Sequence, residues 1–455
     1  MLHKISWLSA GSIFKYIIQF GTIVLLAKKI PVNEYGNYQT VWVWVNFFSV
    51  LMLFGLNALL LSNNIFSIIH WVKDKKKLVL NIAIGLCAIT FCYIFFIDKI
   101  FTLGAKIFLF IFILAQVIAI VGEALWIKQE REKSIFGITL IYFSLYFIVH
   151  LFYIYYRLDF TSLLFCLSII TIIKAVVLFV FRKKIAKYDF KDNNIGSQWF
   201  YLGVNEVLNT IVKWLDKWII LFIYPSAFAK YFNGTYEIPI FMLLLGAVGN
   251  VSTVAIAKHT IEDKAAIISI FKKPITLLAA IVFPSFMFLF FNAEEIFYLF
   301  FGSKYLESIP IFKMTIFILP ARIVYSTSVL QVYNKSKIIL QGVILDIILA
   351  IIFMVVLYPY LQLPGLALAF ALSTYIQVFY YLWHTSNLLK TSIASLLPLL
   401  NIFIILSISF IVNFLFYYFG KPFSGTYAFY FDVFVCVTLI VFFYFKFYKP
   451  KNINE

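Results

Sequence analysis

Apolar runs about as long as a lipid bilayer is thick follow one another along this chain, separated only by short polar connections. A helix rises about 1.5 Å per residue, so roughly 20 apolar residues cross the hydrocarbon core. Cutting at charge clusters, Pro and Gly gives fourteen candidate spans: 5–27, 38–61, 78–97, 105–127, 134–156, 160–181, 199–223, 231–257, 274–292, 308–332, 338–358, 364–383, 396–419 and 425–446. With 63% of residues hydrophobic and 13% charged, no polar region is left for a soluble domain. The expected fold is an all-α polytopic membrane protein with two pseudo-symmetric six-helix lobes, 1–192 and 193–390. Spans 13 and 14 and a cytoplasmic tail occupy 391–455.

One run departs from the rest. Trp199 to Ile223 is long enough to span, yet it carries Glu206, Lys213, Asp216 and Lys217. Four charges at mid-bilayer cost on the order of 10–14 kcal/mol, whereas its apolar residues return about 6. Alone in lipid this helix is not stable. Glu206, Thr210, Lys213 and Lys217 recur at i, i+4, i+7 and i+11, one helical face. Such a face belongs against a wet cavity or against opposite charges.

The net charge of +17 means less here than where the basic residues fall. With the amino terminus inside, the inner segments hold about three times as many Lys and Arg as the outer loops, which puts both termini in the cytoplasm. These basic segments also suit anionic lipid headgroups, so membrane lipids are expected partners and nucleic acid is not. The first run is too long for a signal-peptide core and lacks a cleavage site, so it reads as a retained span. Cys87, Cys92, Cys166 and Cys436 all sit in apolar runs, without metal-binding spacing.

The two halves echo each other. A shift of 198 positions carries Lys15 onto Lys213, Ser12 onto Thr210 and Gln19 onto Lys217. The same shift carries Gly36-Asn37-Tyr38-Gln39 onto Gly234-Thr235-Tyr236-Glu237, Lys75 onto Lys273 and Lys106 onto Lys304. Units of six helices keep the same orientation when duplicated, and substrate in such folds tends to bind between them near mid-depth. In the first span Ser12, Lys15, Gln19 and Thr22 lie at i, i+3, i+7 and i+10, so the leading helix of each half bears a lysine on a polar face.

Other charges within spans are Glu123, Lys174, Glu237, Lys313, Arg322, Asp346 and Asp432, with His150 the well-placed titratable group. Intramembrane ionisable residues are functional candidates by default. Glu123 and Arg322 occupy nearly equivalent places in the two halves. Lys174 and Asp432, near span ends, read instead as residues that reach the headgroups. His150 reads as a hydrogen-bonded bundle residue before a proton carrier. Gly203, Gly246, Gly249, Pro274, Pro284 and Pro320 permit close helix contact or kinks.

Several segments together resemble the polysaccharide or O-antigen repeat-unit flippases of the multidrug/oligosaccharidyl-lipid/polysaccharide exporter superfamily. They are LLAKKIPVNEYGNYQTV (Leu25 to Val41), WLDKWIIL (Trp214 to Leu221, with that family's span-seven Asp at Asp216), YFNGTYEIP (Tyr231 to Pro239), EEIFYLFFGSKY (Glu294 to Tyr305) and LPGLALAFALS (Leu363 to Ser373). The resemblance implies an alternating-access transporter in the bacterial cytoplasmic (inner) membrane. It would move an undecaprenyl-diphosphate-linked oligosaccharide from the cytoplasmic to the periplasmic leaflet, with a polysaccharide polymerase and other assembly proteins as partners. No cofactor is implied beyond H+ or Na+ coupling, for which Glu123, Glu206, Asp216 and His150 are the candidates. A diphosphate and its sugars need a cationic, hydrogen-bonding path in place of lost water. Lys15, Lys213, Lys217 and Arg322 are the expected contacts, with Gln19, Ser12 and Thr210 beside them. Lysine suits this task because its mobile point charge releases as well as holds.

A multidrug pump of the same superfamily, exchanging cations, calls for an acidic site, and the two leading helices present lysine. A lipid-linked peptidoglycan-precursor flippase shares the diphosphate, so charge does not separate it. A membrane polymerase or glycosyltransferase needs an extracytoplasmic reaction chamber. Here the outer loops are short, without an Asp-x-Asp pair or a nucleophile–base constellation. The chain therefore reads as a transporter and not an enzyme.

Overall fold

The computed structural model describes residues 2–62, 65–181, 195–236, 255–333, 335–420 and 426–447, together with 245, 248–249 and 251–253. Glu237, Pro239, Gly246 and most of the polar connection between Arg182 and Gln198 lie outside these residues, as does the middle of the expected span 231–257. Among the described residues the secondary structure is helical, without strands. Nine of these helices are long and apolar enough to cross a membrane, so the chain is a multi-pass membrane protein.

Contacts divide the chain into two compact units, Met1–Leu221 and Phe222–Glu455. The first comprises α1 (Leu2–Lys29), α2 (Val32–Leu53), α3 (Leu56–Ser62), α4 (Ile65–Asp74), α5 (Lys76–Cys92), α6 (Leu103–Lys128), α7 (Glu132–Tyr155), α8 (Phe160–Val180) and nearly all of α9 (Ile195–Ile223). Within it α1 packs on α7, α6 on α8, and α7 on α8. Span 38–61 divides into α2 and α3 because Phe54 and Gly55 both adopt positive φ. That elbow lies against α9, where a side chain on Gly203 would run into the Phe54 ring. Further along α9, Trp218 meets Phe47 at 4.3 Å between ring centroids and Trp44 at 6.0 Å. Aromatic contacts of this kind hold a helix whose charges would reject it from lipid. Lys106, one of the repeat-related lysines, donates its ammonium to the carbonyls of Phe95 and Asp98, closing the π-helical end of the third span.

In the second unit the helix Lys264–Phe291 is the hub, contacting both Leu399–Gly420 and Thr426–Phe447, the expected spans 13 and 14. Ser336–Leu389 runs for 54 residues but reverses at Gln362 (φ 53°, ψ −133°), flanked by Pro359 and Pro364. Its two arms lie side by side. Gln377 donates to the Gly342 carbonyl at 3.2 Å, and the Tyr381 hydroxyl to that of Ile339 at 2.8 Å. The expected span 308–332 is broken into Ile309–Thr315, Ile318–Arg322 and Ser328–Val332. Pro320 explains the first break, since it lacks the N–H for the Ile316 carbonyl, and Leu319 bonds that carbonyl instead at 3.0 Å.

Candidate functional site

The polar stripe of α1 faces inward. At about 100° per residue, Ser12, Lys15, Gln19 and Thr22 lie opposite Ile13 and Ile17, which are 51% and 63% exposed. Ser12, Lys15 and Gln19 are half-buried, and the Thr22 hydroxyl donates to the Ile18 carbonyl at 2.8 Å. The Lys15 ammonium stands 5.9 Å from the Phe143 ring centroid on α7. The charges acting on it most strongly are, in order, Glu123 of α6, Lys174 of α8 and Lys213 of α9. Four helices of the first unit thus bring three ammonium groups and one carboxylate to a common field.

Close packing of α6 on α8 builds the centre of this cluster. A side chain on Gly122 would stand 2.7 Å from Cβ of Leu178, so only glycine lets the two helices approach this far. The Trp126 indole N–H donates to the Leu178 carbonyl at 2.7 Å, and Ser168 donates to that of Phe108 at 2.8 Å, fixing the register. In that register Lys174 Nζ lies 2.6 Å from Glu123 Oε1. The same ammonium sits 4.6 Å above the Tyr142 ring, whose hydroxyl is 3.0 Å from Thr171 Oγ1.

The stripe of α9 divides. Asn209 and Lys213 are exposed and Glu206 half-buried, while Lys217 and Ile220 on the same face are buried. Thr210 donates its hydroxyl to the Glu206 carbonyl at 2.8 Å, and the Gly55 backbone N–H neighbours the Glu206 carboxylate. Lys217 Nζ pairs with Asp216 Oδ2 at 2.9 Å. His150 is fully buried, with Nδ1 2.7 Å from the Tyr146 carbonyl and its ring edge-on to Tyr38. Arg322 lies in the second unit, where it and the buried Asp346 of Ser336–Leu389 act on one another and Ser373 hydrogen-bonds that carboxylate.

Lys15, Lys213 and Glu123 therefore belong to one cluster, Lys217 and Asp216 form a separate pair, and Arg322 has its own acidic neighbour. Sequence reasoning set Lys174 aside as a headgroup-reaching residue and did not single out Tyr142 or Thr171. A signal was present: Ser168, Thr171 and Lys174 recur every third residue, and all are buried. Long-range pairing of Lys174 with Glu123 has no local signature.

A multi-pass helical membrane protein with a cationic cluster inside its spans is the class these features define. The fold is that of known transporters. It matches the lipid II flippase MurJ in an inward closed conformation with TM-score 0.70 and 17% identity, over 97% of this chain and 98% of that one. A MATE in complex with MaL6 matches with TM-score 0.61 and 13% identity, over 85% and 96%. A MOP-superfamily transporter from Pyrococcus furiosus matches with 0.58 and 13%, over 86% and 96%. No curated protein sequence matches the chain. The chain belongs to the family described as polysaccharide biosynthesis protein, whose model matches residues 25–310.

Proposed function

We propose that the protein is a flippase carrying an undecaprenyl-diphosphate-linked oligosaccharide, an O-antigen or other polysaccharide repeat unit, from the cytoplasmic to the periplasmic leaflet of the bacterial inner membrane by alternating access. The observation that carries this is the charge of the cluster on α1, α6, α8 and α9: three lysines against one glutamate. Its excess of two positive charges equals the two negative charges of a doubly esterified diphosphate. Lys15 and Lys213 are the primary contacts, with Ser12, Gln19 and Thr210 beside them. Arg322 comes second, because it already has a carboxylate to act on, and Lys217, sealed against Asp216, serves the fold. In this reading the lipid tail stays in hydrocarbon, and coupling to H+ or Na+ falls to one of Glu123, Glu206 or His150, Asp216 being taken up by Lys217. Family membership supports the pathway, and the transporter folds support the mode.

Vesicles loaded with a fluorescent undecaprenyl-diphosphate-linked disaccharide test it. The wild-type protein should move the lipid between leaflets. Lys15→Ala with Lys213→Ala should slow it by about 100-fold or more at unchanged membrane abundance, the loss of two charge-assisted contacts. Normal transport by that double variant would overturn the assignment. The likeness to MurJ makes the lipid-linked peptidoglycan precursor the second cargo to try. Preference for a probe bearing the peptide stem would shift the assignment to it.

A further inference from the structure

Lys174 and Glu123 form an ion pair whose two members differ in exposure. The lysine side chain is 8% exposed and the glutamate 31%, so the carboxylate is the more accessible member of the pair. Lys174 is held from behind by the Tyr142 face, and Tyr142 in turn by Thr171. The Glu123 carboxylate reaches across from α6 to Lys174 and also feels Lys15. Of the two partners, the lysine is the fixed one and the carboxylate the one free to leave.

Removing one member of a buried pair and leaving the other uncompensated costs about 3–5 kcal/mol. Glu123 therefore stays on Lys174 unless another anion replaces it. Building on the function proposed above, we propose that Lys174 is a further binding residue for the diphosphate, and that Glu123 occupies its ammonium while the site is empty. Loading is then an exchange, in which a phosphate oxygen takes the place of Oε1 on Lys174 and Glu123 turns toward the accessible side. Release runs the exchange backward, with the returning carboxylate displacing the headgroup. A conformational step tied to that swing responds to an anion of the right charge and not to a neutral sugar, because only the anion interacts differently with the two arrangements.

The test is a binding titration of the purified full-length protein with a farnesyl-diphosphate-linked N-acetylglucosamine probe. Glu123→Gln keeps an amide oxygen for the ammonium but removes the competing charge, so the probe should bind tighter by about tenfold and transport should slow at the release step. Lys174→Gln should bind weaker by about tenfold, and the double variant should match Lys174→Gln. Saturating probe should also restore the melting temperature that Glu123→Gln loses, since the diphosphate stands in for the missing carboxylate. Unchanged affinity in both single variants, with Lys15→Ala and Lys213→Ala still abolishing binding, overturns the exchange and leaves the flippase intact. No binding of the probe by the wild-type protein overturns both.

Discussion

Two ion pairs in the first unit use the same chemistry and differ in access. Asp216 and Lys217 are neighbours on α9, with side chains 2% and 11% exposed. Glu123 and Lys174 come from different helices, and the carboxylate is 31% exposed. A sealed pair has no route for exchange: its charges are taken from water once, on folding, and each then depends on the other. A half-open pair keeps one partner within reach of an arriving ligand. Charge within a span is thus no guide to role by itself. What separates a strut from a site is whether the counter-charge is reachable.

The sharpest way to break that contrast is to neutralise each acid. Asp216→Asn leaves Lys217 buried and uncompensated, so it should cost about 3–5 kcal/mol and show as a large fall in membrane abundance, with transport per surviving molecule close to wild type. Asp216→Asn with Lys217→Met should recover most of the loss, since a neutral pair of similar volume tolerates burial. Glu123→Gln also strands a buried ammonium, Lys174 being 8% exposed, but its loss should be recovered by added diphosphate probe, whereas that of Asp216→Asn should not. Equal recovery of the two variants by the probe, measured as melting temperature of the purified proteins, would remove the distinction.

That contrast was half legible from the chain alone. Asp216 sits beside Lys217 and three residues after Lys213, so a local counter-charge was readable from spacing. Glu123 and Lys174 are apart in sequence, and only the approach of α6 to α8 at Gly122 joins them. Apolar length predicted the long helices well: 105–127, 134–156 and 160–181 correspond to α6, α7 and α8 within a few residues. It did less well where backbone chemistry intervenes. The stretch 308–332 has the length and apolarity of a span, yet Pro320 breaks a ladder that α6, of similar length, keeps intact. Gln362 reverses a run that reads as helical on both sides, which hydropathy does not register.

Gly122 offers a change that touches only the open pair. Gly122→Ala places a methyl 2.7 Å from Leu178 Cβ, so α6 and α8 must move apart. Overpacking of this kind costs about 1–3 kcal/mol, less than stranding a buried charge. The separation also draws Glu123 from Lys174, so the variant should mimic Glu123→Gln in binding the diphosphate probe more tightly while Asp216 and Lys217 are untouched. A melting-temperature loss with no change in probe affinity would mean that the α6–α8 contact serves packing alone.

The smallest effect belongs to an acid outside the spans altogether. Asp159 caps α8, accepting from the N–H groups of Thr161 at 3.1 Å and Ser162 at 3.3 Å and from the Ser162 hydroxyl. The Ser162 hydroxyl bond, with the backbone donors after it, holds this exposed carboxyl below the usual carboxylate range. A depressed folded-state pKa means the cap stabilises above about pH 4, the unfolded value, and its contribution fades as pH falls through the lower folded value. Asp159→Ala should therefore lower stability at pH 7 by about 1 kcal/mol, as cap removal does, with the gap from wild type closing below about pH 4. Thermal melts of the detergent-solubilised protein from pH 7 down to pH 3 check it, and a gap from wild type that stays constant over that range would mean that the cap acts without its charge.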